Sequence, residues 1–335
     1  MKLLHIGNGK SSLPLTGEFT ETLRSFGQLE IISDGSEMTE FERAEKIRDC
    51  DILLLIWGSM PIPDEISQNP GNLKYVSVIT GEMRHWVPLS LIEAGIPVTN
   101  WGDSPAEMVA EGAMTLLLAV MKNIRDYIET GINGGWSIAS KNMMGGLRNC
   151  SVGIYGMGVI GRRFTELIRP FGANLSVYDP YIVDLPEGCE RAESLETLFR
   201  NSSIIVIHAG LSPETQHSVN EQLLALLPDG GIVINTSRGG LIDQEALFRE
   251  LETGRLRAGL DVFDGPDGDY LPPDHPARNW SNLILTFHSV MDVYWGTDAT
   301  LKQAMYSVCL DNINRFIRGE NLRFVMDKNR YLIST

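Results

Sequence analysis

The chain has 335 residues, 43% of them hydrophobic and 21% charged, and a formal charge of −15 from 28 basic and 43 acidic side chains. That length is too great for one comfortable core, so two domains are expected. The acidic surplus excludes nucleic acid as a general partner, because no basic excess is available to displace counterions. The longest apolar stretch, Ala113 to Met121, is far short of a membrane span, so no membrane partner is expected. Cys50, Cys150, Cys189 and Cys309 lack CxxC or metal spacing and read as thiols of a reducing compartment, with no metal site. Met1 to Ile6 is too short for a signal peptide and runs straight into Gly and Asn, so a cytoplasmic protein is expected.

Taken in order, the first hundred residues alternate short apolar runs with helical patterns. Lys2 to Ile6, Leu29 to Ser33, Asp51 to Ile56, Tyr75 to Ile79 and Ile96 to Thr99 read as strands, with helices over 17–26, 39–48 and 88–94. The alternation predicts a small parallel sheet with helices on its faces. Ser104-Pro105-Ala106-Glu107 is a helix start with a cap, a proline at the first helical position and a capping-box acid. The helix to about Ile124 is apolar on nearly every face and is expected to be buried. Residues 131–150 form a Gly-rich connection.

Val152 to Tyr155 is an apolar run ending in Gly156-Met157-Gly158-Val159-Ile160-Gly161, after which a helical pattern begins. In such a turn Gly156 permits the tight exit from the strand. Gly158 lets a pyrophosphate approach the backbone, and Gly161 lets helix and strand pack closely. A second strand follows and ends in Asp179, at the spacing where a carboxylate binds an adenosine ribose. This predicts a dinucleotide site. Six strand-like runs are counted, at 152–155, 174–178, 203–207, 231–235, 258–262 and 283–286, with helices at about 194–200, 220–227 and 243–253. Together they match a doubly wound dinucleotide domain. A long helix over roughly 297–318 is closed by Gly319, and a short tail returns to the first domain.

In a doubly wound sheet ligands bind beyond the carboxyl ends of the strands. There the fourth strand of this domain delivers Thr236, Ser237 and Arg238, the fifth delivers Asp261 and Asp264, and the sixth delivers His288. A guanidinium fork for a carboxylate and an imidazole for a proton suit hydride transfer between a nicotinamide and a 2-hydroxy or 2-keto acid. His208, after the third strand, is expected with Ala209 to line the cofactor site, whereas His5, His217 and His275 read as structural.

On these motifs the chain resembles the D-isomer-specific 2-hydroxyacid dehydrogenase family from about Asn72 to its end. The match is most specific at Val152 to Gly161, Ser212 to Thr215, Asn235 to Gly240, Gly259 to Phe263, Asp274 to Pro276 and Leu285 to His288. Gly95 to Asn100 with Val109-Ala110-Glu111 matches the family's domain junction. The resemblance implies NAD as cofactor and two doubly wound α/β domains. A Rossmann NAD-binding domain would span 104–292, and a smaller flavodoxin-like substrate domain would be assembled from 1–103 and 293–335. It makes Arg238 the substrate-orienting arginine, His288 the acid/base, Asp261 the acid that meets the nicotinamide carboxamide, and Asp179 the ribose ligand. Thr80 and Gly81 fall in the family's substrate carboxylate loop. The family also implies a homodimer, for which the arm from Asn123 to Asn149, with Trp136, is the candidate contact.

Three departures stand out. The family's catalytic Glu falls where Pro266 stands here, in a loop three residues longer; Asp267 is favoured in its place, with Asp264 and Asp269 as rivals. The carboxylate loop reads Thr80 to Trp86, with added charge and bulk, and His85 and Trp86 are either a packed corner or an altered substrate wall. Phe287 stands where the family has Pro before the catalytic His. The same fold also serves as a non-enzymatic, NAD(H)-responsive corepressor in some relatives, so a scaffold is the alternative to an enzyme.

Overall fold

The computed structural model describes residues 1–10, 15, 17–81, 83–136, 145–265, 269–290 and 300–333. The chain divides into two compact units, Met1–Pro105 with Val293–Thr335, and Ala106–Asp292.

The first unit begins β1 (Lys2–Ile6), α1 (Gly17–Phe26), β2 (Gln28–Ile32), α2 (Glu40–Arg48), β3 (Ile52–Leu55), β4 (Tyr75–Val78), α3 (Leu89–Glu93) and β5 (Val98–Thr99). All pairs are parallel, in the order β2-β1-β3-β4-β5. This is the flavodoxin-type order, reversing between β1 and β3. β3 and β4 are buried along their whole length, as strands covered on both faces must be. α2 starts where Thr39 and Glu42 satisfy each other's backbone N–H groups, at 3.2 and 2.8 Å.

The second unit opens with α4 (Ala106–Met121) and α5 (Ile124–Ile132). One helix to about Ile124 and a Gly-rich connection were expected; instead the chain breaks at Asn123, which is left-handed with φ 50°, and restarts. The buried Arg257 lies at the break, donating to Val120 O, the carbonyl that a continuing helix would bond to Ile124 N, and to the side-chain oxygen of Asn123. Next come β6 (Ser151–Tyr155), α6 (Val159–Ile168), β7 (Asn174–Tyr178), β8 (Cys189–Arg191), α7 (Leu195–Arg200) and β9 (Ile204–Ile207). They are followed by α8 (Glu221–Leu224), β10 (Ile232–Asn235), α9 (Gln244–Glu252), β11 (Arg257–Leu260) and β12 (Leu283–Leu285). The sheet is parallel, ordered β12-β11-β10-β9-β6-β7-β8, with seven strands where six were counted. The addition is β8, a short edge strand with no buried residue, which has no apolar run to reveal it. The order reverses between β6 and β9, and that switch point is where a dinucleotide binds.

The chain returns to the first unit as α10 (Thr300–Arg318) and α11 (Lys328–Ile333). Tyr306 stacks on Phe19 of α1 at 3.8 Å between centroids, and Tyr331 Oη donates to Val87 O at 2.6 Å. No described helix is long and apolar enough to cross a membrane.

Candidate active site

The glycine turn sits at the switch point. Gly156 has φ 92°, and a Cβ there would lie 2.5 Å from Ala209 N, so only glycine lets β6 turn against the end of β9. A Cβ on Gly161 would lie 2.4 Å from Gly156 O, which closes helix α6 onto the turn. Gly158, the N-cap of α6, has open space where its Cβ would stand. A phosphate placed there meets unshielded N–H groups at a helix N-terminus. Asp179 braces this turn, accepting from Met157 N at 2.8 Å and Tyr181 N at 2.9 Å.

Two buried polar atoms beside the turn have no partner, His208 Nε2 and Thr236 Oγ1. His208 is tilted against Phe164, and burial pushes its imidazole down to about 3, so it is neutral at working pH. Orphaned polar atoms at the carboxyl edge, an open glycine at a helix cap and a braced acid fit a dinucleotide. Val159 and Ile160 form the first turn of α6 behind the same glycines.

The loop after β10 is braced from within. The fully buried Asn235 accepts from Ser237 N at 3.0 Å and donates to Arg238 O at 2.9 Å, and Ser237 Oγ reaches Ala209 O at 2.5 Å. Asn235, which opens the Asn235–Gly240 motif, therefore braces the loop that carries Arg238, a role the motif alone does not reveal. Its position at the buried end of a strand before a Ser-Arg pair is the signal that marks a brace. A Cβ on Gly239 would collide with the Phe263 backbone, so the Arg238 loop lies directly against the end of β11.

At that end Asp261 is 2% exposed, and burial raises its carboxyl above the ordinary range. Its Oδ1 accepts from Thr286 Oγ1 at 2.6 Å, Ser289 N at 2.9 Å and Val290 N at 3.0 Å. Phe287 and His288 are both left-handed, at φ 51° and 57°. Such residues cost about 1–3 kcal/mol each and cluster at functional sites.

His288 Nδ1 lies 2.5 Å from Asp269 Oδ2, and Asp269 Oδ1 also accepts from Phe263 N. The hydrogen bond to Asp269 raises the His288 pKa above its usual value; burial and the Arg238 guanidinium oppose the rise, and Asp261 adds to it. Asp267 was favoured for this role, but residues 266–268 lie outside the described residues. The carboxylate found against His288 is that of Asp269. Asp264 instead pairs with His217 Nε2 at 2.6 Å.

In the first unit Thr80 is fully buried and Gly81 lies against the indole of Trp101, which a Cβ would meet at 2.4 Å. Glu82 is not among the described residues. Met83 is buried in the unit's core with Trp86 partly buried against the same cluster, which makes Trp86 a packed corner, while His85 is exposed. Trp136 is fully exposed, and residues 137–144 of its arm lie outside the described residues.

Residues 114–289 match the family model described as D-isomer specific 2-hydroxyacid dehydrogenase, NAD binding domain. The hydroxypyruvate reductase of Thermotoga maritima is 31% identical over 255 residues, covering 75% of this chain and 81% of that protein. The D-3-phosphoglycerate dehydrogenase of Methanocaldococcus jannaschii is 30% identical over 312 residues, 92% of this chain, which spans only 57% of that relative's length. An acyclic imino acid reductase solved with NADPH and D-Arg superposes with a TM-score of 0.79 at 26% identity, covering 98% of this chain and 100% of that one.

Proposed function

The chain belongs to the D-isomer-specific 2-hydroxyacid dehydrogenase family, and from that premise we propose that it interconverts a D-2-hydroxy acid and its 2-keto acid with NAD. The observation that carries this reading is the contact between His288 and Asp269, formed beside Arg238 on the strand edge that holds the glycine turn. NAD, when bound, supplies or takes up the hydride. Gly156 to Gly161 and Asp179 hold it, and His208, Ala209, Thr236 and Ser237 line its site.

Arg238 orients the substrate carboxylate through its planar fork. With Nδ1 engaged by Asp269, Nε2 of His288 is the atom that holds the mobile proton. It gives that proton to the carbonyl oxygen during reduction and removes it from the hydroxyl during oxidation. Asp269 favours the protonated imidazole and fixes its tautomer. The corepressor-like alternative is not favoured, because the family model that matches describes a dehydrogenase and the similar curated proteins are dehydrogenases and reductases. Residues 1–103 and 293–335 act as the substrate domain in this reading, with Thr80 and Gly81 in its carboxylate loop, and 104–292 as the NAD-binding domain.

The test is NADH oxidation against a panel of 2-keto acids, with the configuration of the product determined. Reduction of at least one acid to its D-hydroxy product is expected; tight NADH binding with no acid reduced would refute it. The partner is a second copy in a two-fold dimer. α5 has no buried residue and exposes Ile124, Tyr127, Ile128 and Ile132. Light scattering at micromolar concentration should give a dimer, and a monomer would count against it. Four unpaired cysteines favour a cytoplasmic setting.

A further inference from the structure

The turn after β12 takes an expensive shape, with two successive left-handed residues and no glycine. A ring-bearing residue such as Phe287 is rare in that region, so its surroundings must hold it there. Two sets of contacts do so. On one side Thr286 Oγ1, Ser289 N and Val290 N all converge on Asp261 Oδ1, and His288 N donates to Asp261 O at 2.5 Å. On the other, the Phe287 ring leans on Phe263, 5.7 Å between centroids, and carries the Arg278 guanidinium 4.4 Å above it. Arg278 is itself fixed by donation to Pro272 O at 2.7 Å and Leu271 O at 2.5 Å.

We infer that Asp261 is a positioning residue for His288: its buried carboxylate is the peg from which the left-handed Phe287–His288 turn hangs, and it thereby sets the imidazole against Asp269. The inference rests on the reading of His288 as acid/base and goes beyond the cofactor contact that the family resemblance assigns to Asp261. Three donors converging on one oxygen call for an acceptor-only, charged group. An asparagine would keep one acceptor oxygen but bury an amide with no partner of its own. The same donors make the burial of Asp261 tolerable, since an unpaired carboxylate at 2% exposure would be strongly disfavoured. Oδ1 is committed to the turn, so any contact with a cofactor carboxamide falls to Oδ2.

The test follows the His288 imidazole by NMR in the cofactor-free protein, with His288→Gln to assign its signal, and so does not depend on turnover. The charged groups facing His288 are Asp269, Asp261 and Arg238. Asp261→Asn removes the charge and weakens the peg, whereas Thr286→Val removes one peg contact and leaves every charge in place. Both variants are expected to move the His288 titration to lower pH, because a slackened turn loosens the contact with Asp269. Turnover should fall by about tenfold in Asp261→Asn and less in Thr286→Val. NADH affinity should change by no more than about threefold in Thr286→Val, which touches only the Oδ1 side of Asp261. A titration that stays at the wild-type position in Thr286→Val overturns the inference, as does a loss confined to NADH affinity in Asp261→Asn. If Asp261→Asn does not fold, Thr286→Val decides alone. If the wild type reduces no 2-keto acid, the dehydrogenase reading fails while the imidazole titration still reports on the turn.

Discussion

Replacing Asp269 by Asn tests the acid/base assignment through its support. Asp269 makes two contacts, Oδ2 to His288 Nδ1 at 2.5 Å and Oδ1 to Phe263 N. Asparagine can keep the second through its amide oxygen, so the backbone at Phe263 should hold. The first loses its charge. A charge-assisted hydrogen bond contributes about 1.5–3 kcal/mol. The His288 side chain is 48% exposed and that of Asp269 27%, so solvent screening argues for the lower end. About 1.5 kcal/mol, if wholly expressed in the transition state, is roughly tenfold in turnover. The pH dependence has a definite sign. Asp269 raises the His288 pKa, and keto acid reduction needs the protonated imidazole, so reduction fails as pH climbs through that value. In Asp269→Asn the alkaline limb should move to lower pH, and the acid limb of hydroxy acid oxidation should move the same way. The assay is initial rate against pH with saturating NADH, beside a parallel titration of NADH affinity, which should be unchanged. An unmoved profile with turnover within twofold would refute the pairing, and a shift in Asp264→Asn instead would reassign it.

Three further outcomes follow from the cofactor half. Gly158→Ala should leave stability within about 0.5 kcal/mol and weaken NADH binding about tenfold or more, because its Cβ enters space that is open in the protein alone; Gly156→Ala, strained at φ 92° and crowded by Ala209, should destabilise the fold by about 1–3 kcal/mol. Urea unfolding and fluorescence titration separate the two, and equal behaviour would contradict the reading. Asp179, fixed against the glycine turn, would face the added charge of a 2′-phosphate, so NADH should be preferred and Asp179→Ser should narrow the gap; equal kcat/KM for NADH and NADPH in the wild type would sink this. His208 stays neutral when folded down to about 3 but takes a proton when unfolded below its ordinary 6.5. Its contribution is therefore fully present above 6.5 and lost as pH falls toward 3, at up to about 1.4 kcal/mol per unit; His208→Leu should flatten that slope in denaturant titrations at pH 7, 5 and 4, and an unchanged slope would show that His208 is not the cause.

What could be read from sequence was whatever local chemistry alone dictates. The glycines of 156–161 were legible because a strand-to-helix turn of this kind admits no side chain at Gly156. β9, apolar throughout, and β10, apolar up to Asn235, read as strands buried on both faces of a parallel sheet. β8 was missed because an edge strand of Cys189, Glu190 and Arg191 buries nothing and leaves no pattern. α5 was missed because a Gly-rich stretch follows it and its apolar side chains are exposed, although the Arg125–Glu129 pair at i, i+4 was a visible hint. Asp269 could not be chosen by counting. An expanded loop offers several carboxylates at similar spacing, and the choice rests on how the loop folds back on itself, with Phe263 N holding Asp269 where His288 can reach it. The two left-handed residues at Phe287 and His288 were equally hidden, since no glycine announced them.

In the proposed reaction His288 exchanges the substrate's proton at the carboxyl edge of the seven-stranded sheet. The most direct measurement is turnover of His288→Ala with the best 2-keto acid, beside NADH affinity of the same variant. The account requires a loss of about 10²–10⁴ in turnover with NADH affinity nearly unchanged. Turnover within about threefold of the wild type, or a loss that merely follows weakened NADH binding, would contradict it.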